Sequence, residues 1–444
     1  MTEDVAGDSA QRAKDARKHL SATMKALKAT RSPLSETMRT LKKEQEVMQT
    51  SMTRENLSKT AEFRISKLQQ FGAGSLAYSS LQPGLQYYMN DELGYVAFQS
   101  MGSDPDSVLV LADPICSREN LHAFLDAFLQ VRKDPIFLHV NHTTACALSD
   151  RGYTINELGI ETVIDIQEFE LTGNKKQQLR SARNRALKDG IKVRELMSVD
   201  DSLLRALKKI SDDWIAQKVA GDSQMKFVVR PMVYVDEIDV RRFVAIKDDE
   251  IVGFVIFDPM YENGEVTGYI ANQLRSNYEK GFSIVDYIIL EAIEVFKKEG
   301  RRDLSLGLSP MAKVDDGQEF KHSKLLKAHF QFAYERANYL YNFKNLARHK
   351  NQYRPEMRGA REEKVYCAMK TRLFLTRMYG VYTALGLKPI QSTWRHLKEV
   401  SADKIRSFFH GKKEHLELGS GGSKESQPGS EVKCAEVKND KPSS

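Results

Sequence analysis

Apolar positions in this chain fall into short runs of strand length separated by stretches of helical period. Leu93 to Ser100 and Ser107 to Ala112 read as strands, and Val108-Leu109-Val110-Leu111 is continuously apolar, as a strand buried on both faces would be. The pattern then predicts a helix over 119–131, a strand over 136–140 and another over 161–169. Lys175 to Lys188 reads as a basic helix stopped by Gly190, a natural residue just past a helix end. A similar order follows. A helix is expected over 201–217, and strands over 243–246, 251–257 and 266–271, with Glu262-Asn263-Gly264 as a hairpin turn. A long amphipathic helix over 283–298 closes at Gly300, Leu304 to Gly307 forms a short strand, and helices fill most of 323–350.

Strands and helices mixed in two successive blocks imply an α/β (α+β) fold with two related halves, 61–195 and 196–365, although no residue-level repeat is visible. Ahead of them, Leu20, Met24 and Leu27, then Leu34, Met38 and Leu41, place an apolar stripe on helices, so 1–60 is expected to be a helical extension. Residues 366–415 read as basic amphipathic helices. There Trp394, Leu397, Ile405 and Phe408 alternate with Arg395, Lys398, Lys404 and Lys412, a pattern suited either to a membrane interface or to docking on the protein body. Residues 416–444 are rich in Gly, Ser, Lys and Glu and are expected to be disordered.

Composition narrows the classes. With 41% hydrophobic and 29% charged residues, most of the chain can fold. Cys116, Cys146, Cys367 and Cys434 form no CxxC pair, which argues against a structural zinc site or a disulfide framework. No metal and no cofactor is expected. The N-terminus is acidic and polar, unlike a signal peptide. The most apolar stretch, Leu373 to Leu387, is interrupted by Arg377, so any membrane contact is expected to be peripheral. The expected location is cytoplasmic, at the inner face of the cell membrane. The net charge of +7 is informative only where it clusters, and Lys175, Lys176, Arg180, Arg183, Arg185 and Lys188 cluster on one helix. Asp189 is the only acid close by, which points to an anionic contact, tRNA or lipid phosphate, over a solvated face.

Several segments carry a family resemblance. Phe169-Glu170-Leu171-Thr172-Gly173, followed by Leu179-Arg180 and the basic helix, resembles the "F-x-L-x-G … L-R" segment of the lysyl-phosphatidylglycerol synthase family. Ala112-Asp113-Pro114 and Gly159-Ile160-Glu161 stand where that family has "G-D-P" and "G-E-E". Ser211 to Trp214, Leu306 to Met311 and Lys350 to Pro355 resemble its "S-x-x-W", "L-G-x-A-P-L" and "K-x-K-F-x-P" motifs. The likeness spans roughly 75–365 in consistent order. It implies tandem GNAT-like acyltransferase domains that move an aminoacyl group from aminoacyl-tRNA to a phosphatidylglycerol headgroup, with aminoacyl-tRNA and a phospholipid surface as partners. On this resemblance, the polar segment before Thr60 is expected to stand in place of the membrane flippase most members carry.

The resemblance places the family's Asp-Leu-Met-Arg motif on Asn272-Gln273-Leu274-Arg275. Arg275 is then a clamp for a phosphate or the ester carbonyl, or else a strand-end residue in solvent. Asn272 replaces an acid and cannot accept a proton. Asp315 is placed to bind the aminoacyl amine, or is part of an Asp315-Asp316-Gly317 turn. Lys350 is placed for oxyanion or phosphate contact, while Gln352 replaces the motif's second lysine. Twin splayed sheets are expected to share a positively lined cleft holding Arg275 and Lys350. Two alternatives remain open. One is an N-acyltransferase using acyl-CoA or acyl carrier protein, for which Tyr278 to Ser283 would be a degenerate pyrophosphate loop. The other is a non-catalytic relative that binds tRNA or membrane.

Overall fold

The computed structural model describes residues 59–101, 107–198, 200–217, 227–233, 237–277, 284–315, 319–336, 342–370 and 374–386. The expected N-terminal helices before Lys59, the Tyr278 to Ser283 loop, the helices after 386 and the C-terminal tail lie outside these residues. The chain divides into units of 1–389 and 390–444, and all described residues belong to the first.

The elements are α1 (Lys59–Phe71), β1 (Gln86–Asn90), β2 (Gly94–Ser100), β3 (Val108–Cys116), α2 (Leu121–Val131), β4 (Ile136–Val140), α3 (His142–Ser149), β5 (Thr154–Asp165), α4 (Gln177–Lys188), β6 (Lys192–Leu196) and α5 (Asp201–Gln217). They continue with β7 (Arg241–Lys247), β8 (Glu250–Glu262), β9 (Glu265–Ser276), α6 (Ile284–Lys298), β10 (Asp303–Pro310), α7 (Lys324–Arg336), α8 (Phe343–Asn351), β11 (Ala360–Met369) and α9 (Phe374–Ala384). The fold is mixed α/β, as expected. The expected twin sheets are instead a single 11-stranded sheet, ordered β1-β2-β3-β4-β11-β5-β10-β9-β8-β7-β6.

The physical reason for one sheet is an exchange of strands. Each flank is an antiparallel run ending in a parallel pair, β3 with β4 and β9 with β10, connected through α2 and α6 respectively. After β4 the chain enters β5, which pairs with β10 of the other flank. After β10 it returns through β11, which pairs with β4. The two exchanged strands pair with each other along their length, from Ala360 opposite Ile164 to Met369 opposite Thr154. Backbone donors that two separate sheets would leave at facing edges are thereby satisfied.

Alternation assigns the two faces. Phe243, Ala245, Val255 and Phe257 pack under α4 and α6, while Val244, Phe254 and Ile256 face α5. In the other flank, Val96, Phe98, Val108 and Val110 meet α2 and α3, whereas Leu109, Leu111, Ile136 and Leu138 meet α7 and α9. The middle of β5 is polar but fully paired. Asn156 exchanges two 3.1 Å hydrogen bonds with the Ser323 backbone, and Glu157 bonds Lys364 at 2.5 Å.

Candidate active site

Both parallel pairs are brief. β3 and β4 pair only from Leu109 to Leu111 with Ile136 to Leu138, then diverge. The divergence is marked by positive φ at two non-glycine residues, Ala112 at 59° and His139 at 67°. Such conformations cost free energy and persist where the surroundings impose them, often at functional sites. The Asp113 carboxylate sits in this opening, accepts the Asn141 amide at 3.0 Å, and has its pKa raised by burial.

Below it lies a cavity of about 650 Å³. Its walls come from β3, the start of α3, the exchanged strands, β10 and the α1-to-β1 connection. The end of α1 is fastened over it by backbone bonds from Tyr261 to Gly72 at 2.9 Å and from Asn263 to Gln70 at 3.1 Å. Glu161 lines it. This carboxylate is 5% exposed, accepts Ser75 Oγ at 2.9 Å and Ser305 Oγ, and stands 3.6 Å from His139 Nε2. His139 Nε2 is buried and has no hydrogen-bond partner among the described residues. A buried ring nitrogen left this way is costly unless a ligand completes it. The lining holds Asp113, Glu119, Glu161, Glu262, Asp303 and Glu363 against Arg118, Arg361 and Lys364, so this cavity is acidic, and neither Arg275 nor Lys350 of the expected positive cleft lines it.

The second opening lies between β9 and β10, which pair only from Gly268 to Ile270 with Asp303 to Ser305. Here β10 bulges at Leu306-Gly307, and Gly307 takes φ 76°, which glycine adopts without penalty. Lys350 from α8 reaches the bulge and donates to Leu308 O at 2.7 Å. It is 6% exposed. Burial pushes its amine down to about 7, against the opposing pull of Glu161. Glu161 therefore acts electrostatically on both openings. Beside Lys350 on α8, His349 Nε2 meets Asp286 Oδ1 at 2.8 Å, and Tyr353 OH donates to the same oxygen at 2.9 Å.

The residues singled out in the sequence scatter around this centre. Asn272 donates to Asp258 Oδ2 at 2.5 Å, within a buried lattice in which Arg230 spans Asp258 and Glu237. Arg275 is 5% exposed and stacks over the Trp214 ring at 3.9 Å, so it is not the solvent-exposed strand end considered above. Two of the quoted motifs thus touch. Arg275 lies five residues beyond Ile270 on β9, a rise of about 16 Å, and the contacts described for it and for Lys350 share no residue. Asp315 is exposed, and its backbone amide, not its carboxylate, is held by Glu157 at 2.9 Å. In the basic helix region Lys175 and Arg185 are exposed, Arg180 turns back to Gly173 O, and Arg183 pairs with Glu291 at 3.3 Å. Lys176 corrects its grouping with the surface cations. It is buried, donates to Glu170 O at 2.7 Å and lies over the Phe169 ring. Asp113 and Glu161 were legible only as motif letters, and nothing in the sequence marked His139.

A chain with one strand-exchanged sheet and two splayed parallel pairs has the fold of a solved structure described as L-PGS from Bacillus licheniformis. The TM-score is 0.60 at 19% identity, covering 73% of this chain and 96% of that one. The family model described as phosphatidylglycerol lysyltransferase, C-terminal, matches residues 65–368, and the chain belongs to this family. It is 25% identical over 324 residues to a phosphatidylglycerol lysyltransferase of Bacillus subtilis (strain 168), and 24% identical over 316 residues to one of Staphylococcus xylosus. These matches cover 72% and 69% of this chain but only 36% and 35% of the relatives, so the chain spans about a third of their length.

Proposed function

We propose that this protein is an aminoacyltransferase that moves an amino acid from aminoacyl-tRNA to the hydroxyl of a phosphatidylglycerol-type headgroup, on a GNAT-like scaffold. The observation that carries the reading is the unpartnered His139 Nε2 beside Glu161 in an acidic cavity. Family membership supplies the reaction class.

Transfer from one ester to another is nearly balanced in energy, so alignment and proton handling dominate. In this reading the acidic lining holds the ammonium of a cationic aminoacyl group. His139 takes the proton from the acceptor hydroxyl as its oxygen attacks the aminoacyl carbonyl. That proton then passes to the tRNA ribose oxygen as the original ester bond breaks. Lys350, near neutral pKa at the second opening, and Arg275 on Trp214 serve the phosphate-bearing partners. Exposed Lys175 and Arg185 offer further phosphate contacts.

The test is purified protein incubated with labelled lysyl-tRNA and vesicles containing phosphatidylglycerol, followed by lipid separation. RNase-sensitive label in lipid is expected, and His139→Gln should lower the rate by about 100-fold with the fold retained. Label delivered only from acyl-CoA, or no label from either donor, overturns the reading.

A further inference from the structure

On α3, whose first turn also borders the cavity, lies a second cluster with its own chemistry. His142 and Cys146 are four residues apart and so share one face of the helix. Cys146 Sγ is 3.7 Å from His142 Nδ1 and 3.9 Å from Nε2. Glu319, from the connection between β10 and α7, brings Oε1 to 2.5 Å from His142 Nε2. One ligand atom from each residue falls within 4.8 Å of the other two.

We propose that His142, Cys146 and Glu319 bind one zinc ion, with solvent at the fourth position. Nitrogen, sulfur and carboxylate oxygen are zinc's ordinary donor set, at bond lengths of about 2.0–2.3 Å. Tetrahedral ligands at those lengths stand about 3.3–3.7 Å apart, so metal entry requires the His142–Glu319 pair to open by roughly 1 Å. The frame around the site is built. Asn141 caps α3 by accepting the Thr144 amide at 2.9 Å, and the rings of Phe320 and Tyr366 flank His142 at 5.6 and 6.1 Å. Glu319 also borders a small cavity of about 30 Å³ with His322 and Lys364, room for one water. The site is exposed and three-coordinate from protein, which leaves a position open to solvent. Cysteine spacing argued against zinc because the third ligand is far away in sequence, where no motif can register it.

The full chain, stripped with a chelator, is titrated with cobalt(II) and then zinc(II). One equivalent of cobalt with thiolate-to-metal charge-transfer absorption is expected, displaced by one equivalent of zinc. Cys146→Ser should abolish that absorption and Cys116→Ser should leave it intact. His142→Ala and Glu319→Gln, both at exposed side chains, should weaken zinc binding by about tenfold or more. The site does not exist if the parent protein shows no thiolate absorption, if the absorption survives Cys146→Ser, or if zinc binds the other two variants as tightly as the parent.

Discussion

Lys350 shows how far a single residue's chemistry is set by its depth. A lysine ordinarily titrates near ~10.4, yet this one, buried against the β10 bulge, is pushed down to about 7. Between those values the unfolded chain holds a proton that the folded chain does not, so folding stability should rise with pH from about 7 toward 10 and level off below 7. The full shift corresponds to roughly 5 kcal/mol as an upper bound, since the amine keeps its bond to Leu308 O. Lys350→Met should flatten this slope, measured as urea unfolding free energy across pH 6.5 to 10. Parallel curves for the two proteins would show that the amine titrates normally. Motif text could single out Lys350 because the segment around it is recognisable. It could not find His139, which only a strained backbone and a missing hydrogen bond mark out. Nor could it foresee that Lys176 turns inward over Phe169 while its neighbour Lys175 stays in solvent.

At the level of elements, strands with continuous apolar runs were legible and those with interrupted runs were not. Ile136 to Val140 gave β4 to the residue, and Val108 to Leu111 gave the start of β3, which continues past the expected end at Ala112 to Cys116. The first half of β5 was missed because Asn156, Glu157 and Gly159 break its pattern, although all three are buried and satisfied at the centre of the sheet. β11 was missed for the related reason that Arg361, Glu362, Glu363 and Lys364 begin it. Long-range polar pairing, invisible in a local window, stabilises both. The same holds for the segment before β7, whose anchor is Arg230. It is 3% exposed and bonds Asp258 at 2.5 and 2.7 Å and Glu237 at 2.7 and 3.1 Å. Removing one member of a buried ion-pair lattice strands the others, at a cost of roughly 3–5 kcal/mol. Arg230→Met should therefore lower the unfolding free energy measured in urea by that amount. Adding Asp258→Asn and Glu237→Gln should recover a large part of it, because the uncompensated charges are then gone. A single substitution costing under about 1 kcal/mol would place the lattice in contact with solvent.

For the whole molecule, the exchange of β5 and β11 has a consequence that two tandem halves joined end to end would not have. Each flank's parallel pair is completed by a strand belonging to the other: β10 by β5, and β4 by β11. Unfolding either flank alone would expose the exchanged strand of its partner and break the ten-residue ladder from Ala360 to Met369. It would also open the cavity, whose walls come from both flanks. The sheet should therefore unfold in one cooperative step despite its length, where chains of this size with independent cores commonly show several. Hydrogen exchange read by mass spectrometry tests this directly. Peptides covering β3 and β4 should exchange with the same opening free energy, and the same denaturant dependence, as peptides covering β8 and β9. Two distinct opening energies, with β5 following one flank and β11 the other, would mean that the exchanged strands are held only locally and that each half folds by itself. With a single energy, the acidic cavity and the Lys350 opening form or dissolve together, as the proposed reaction requires.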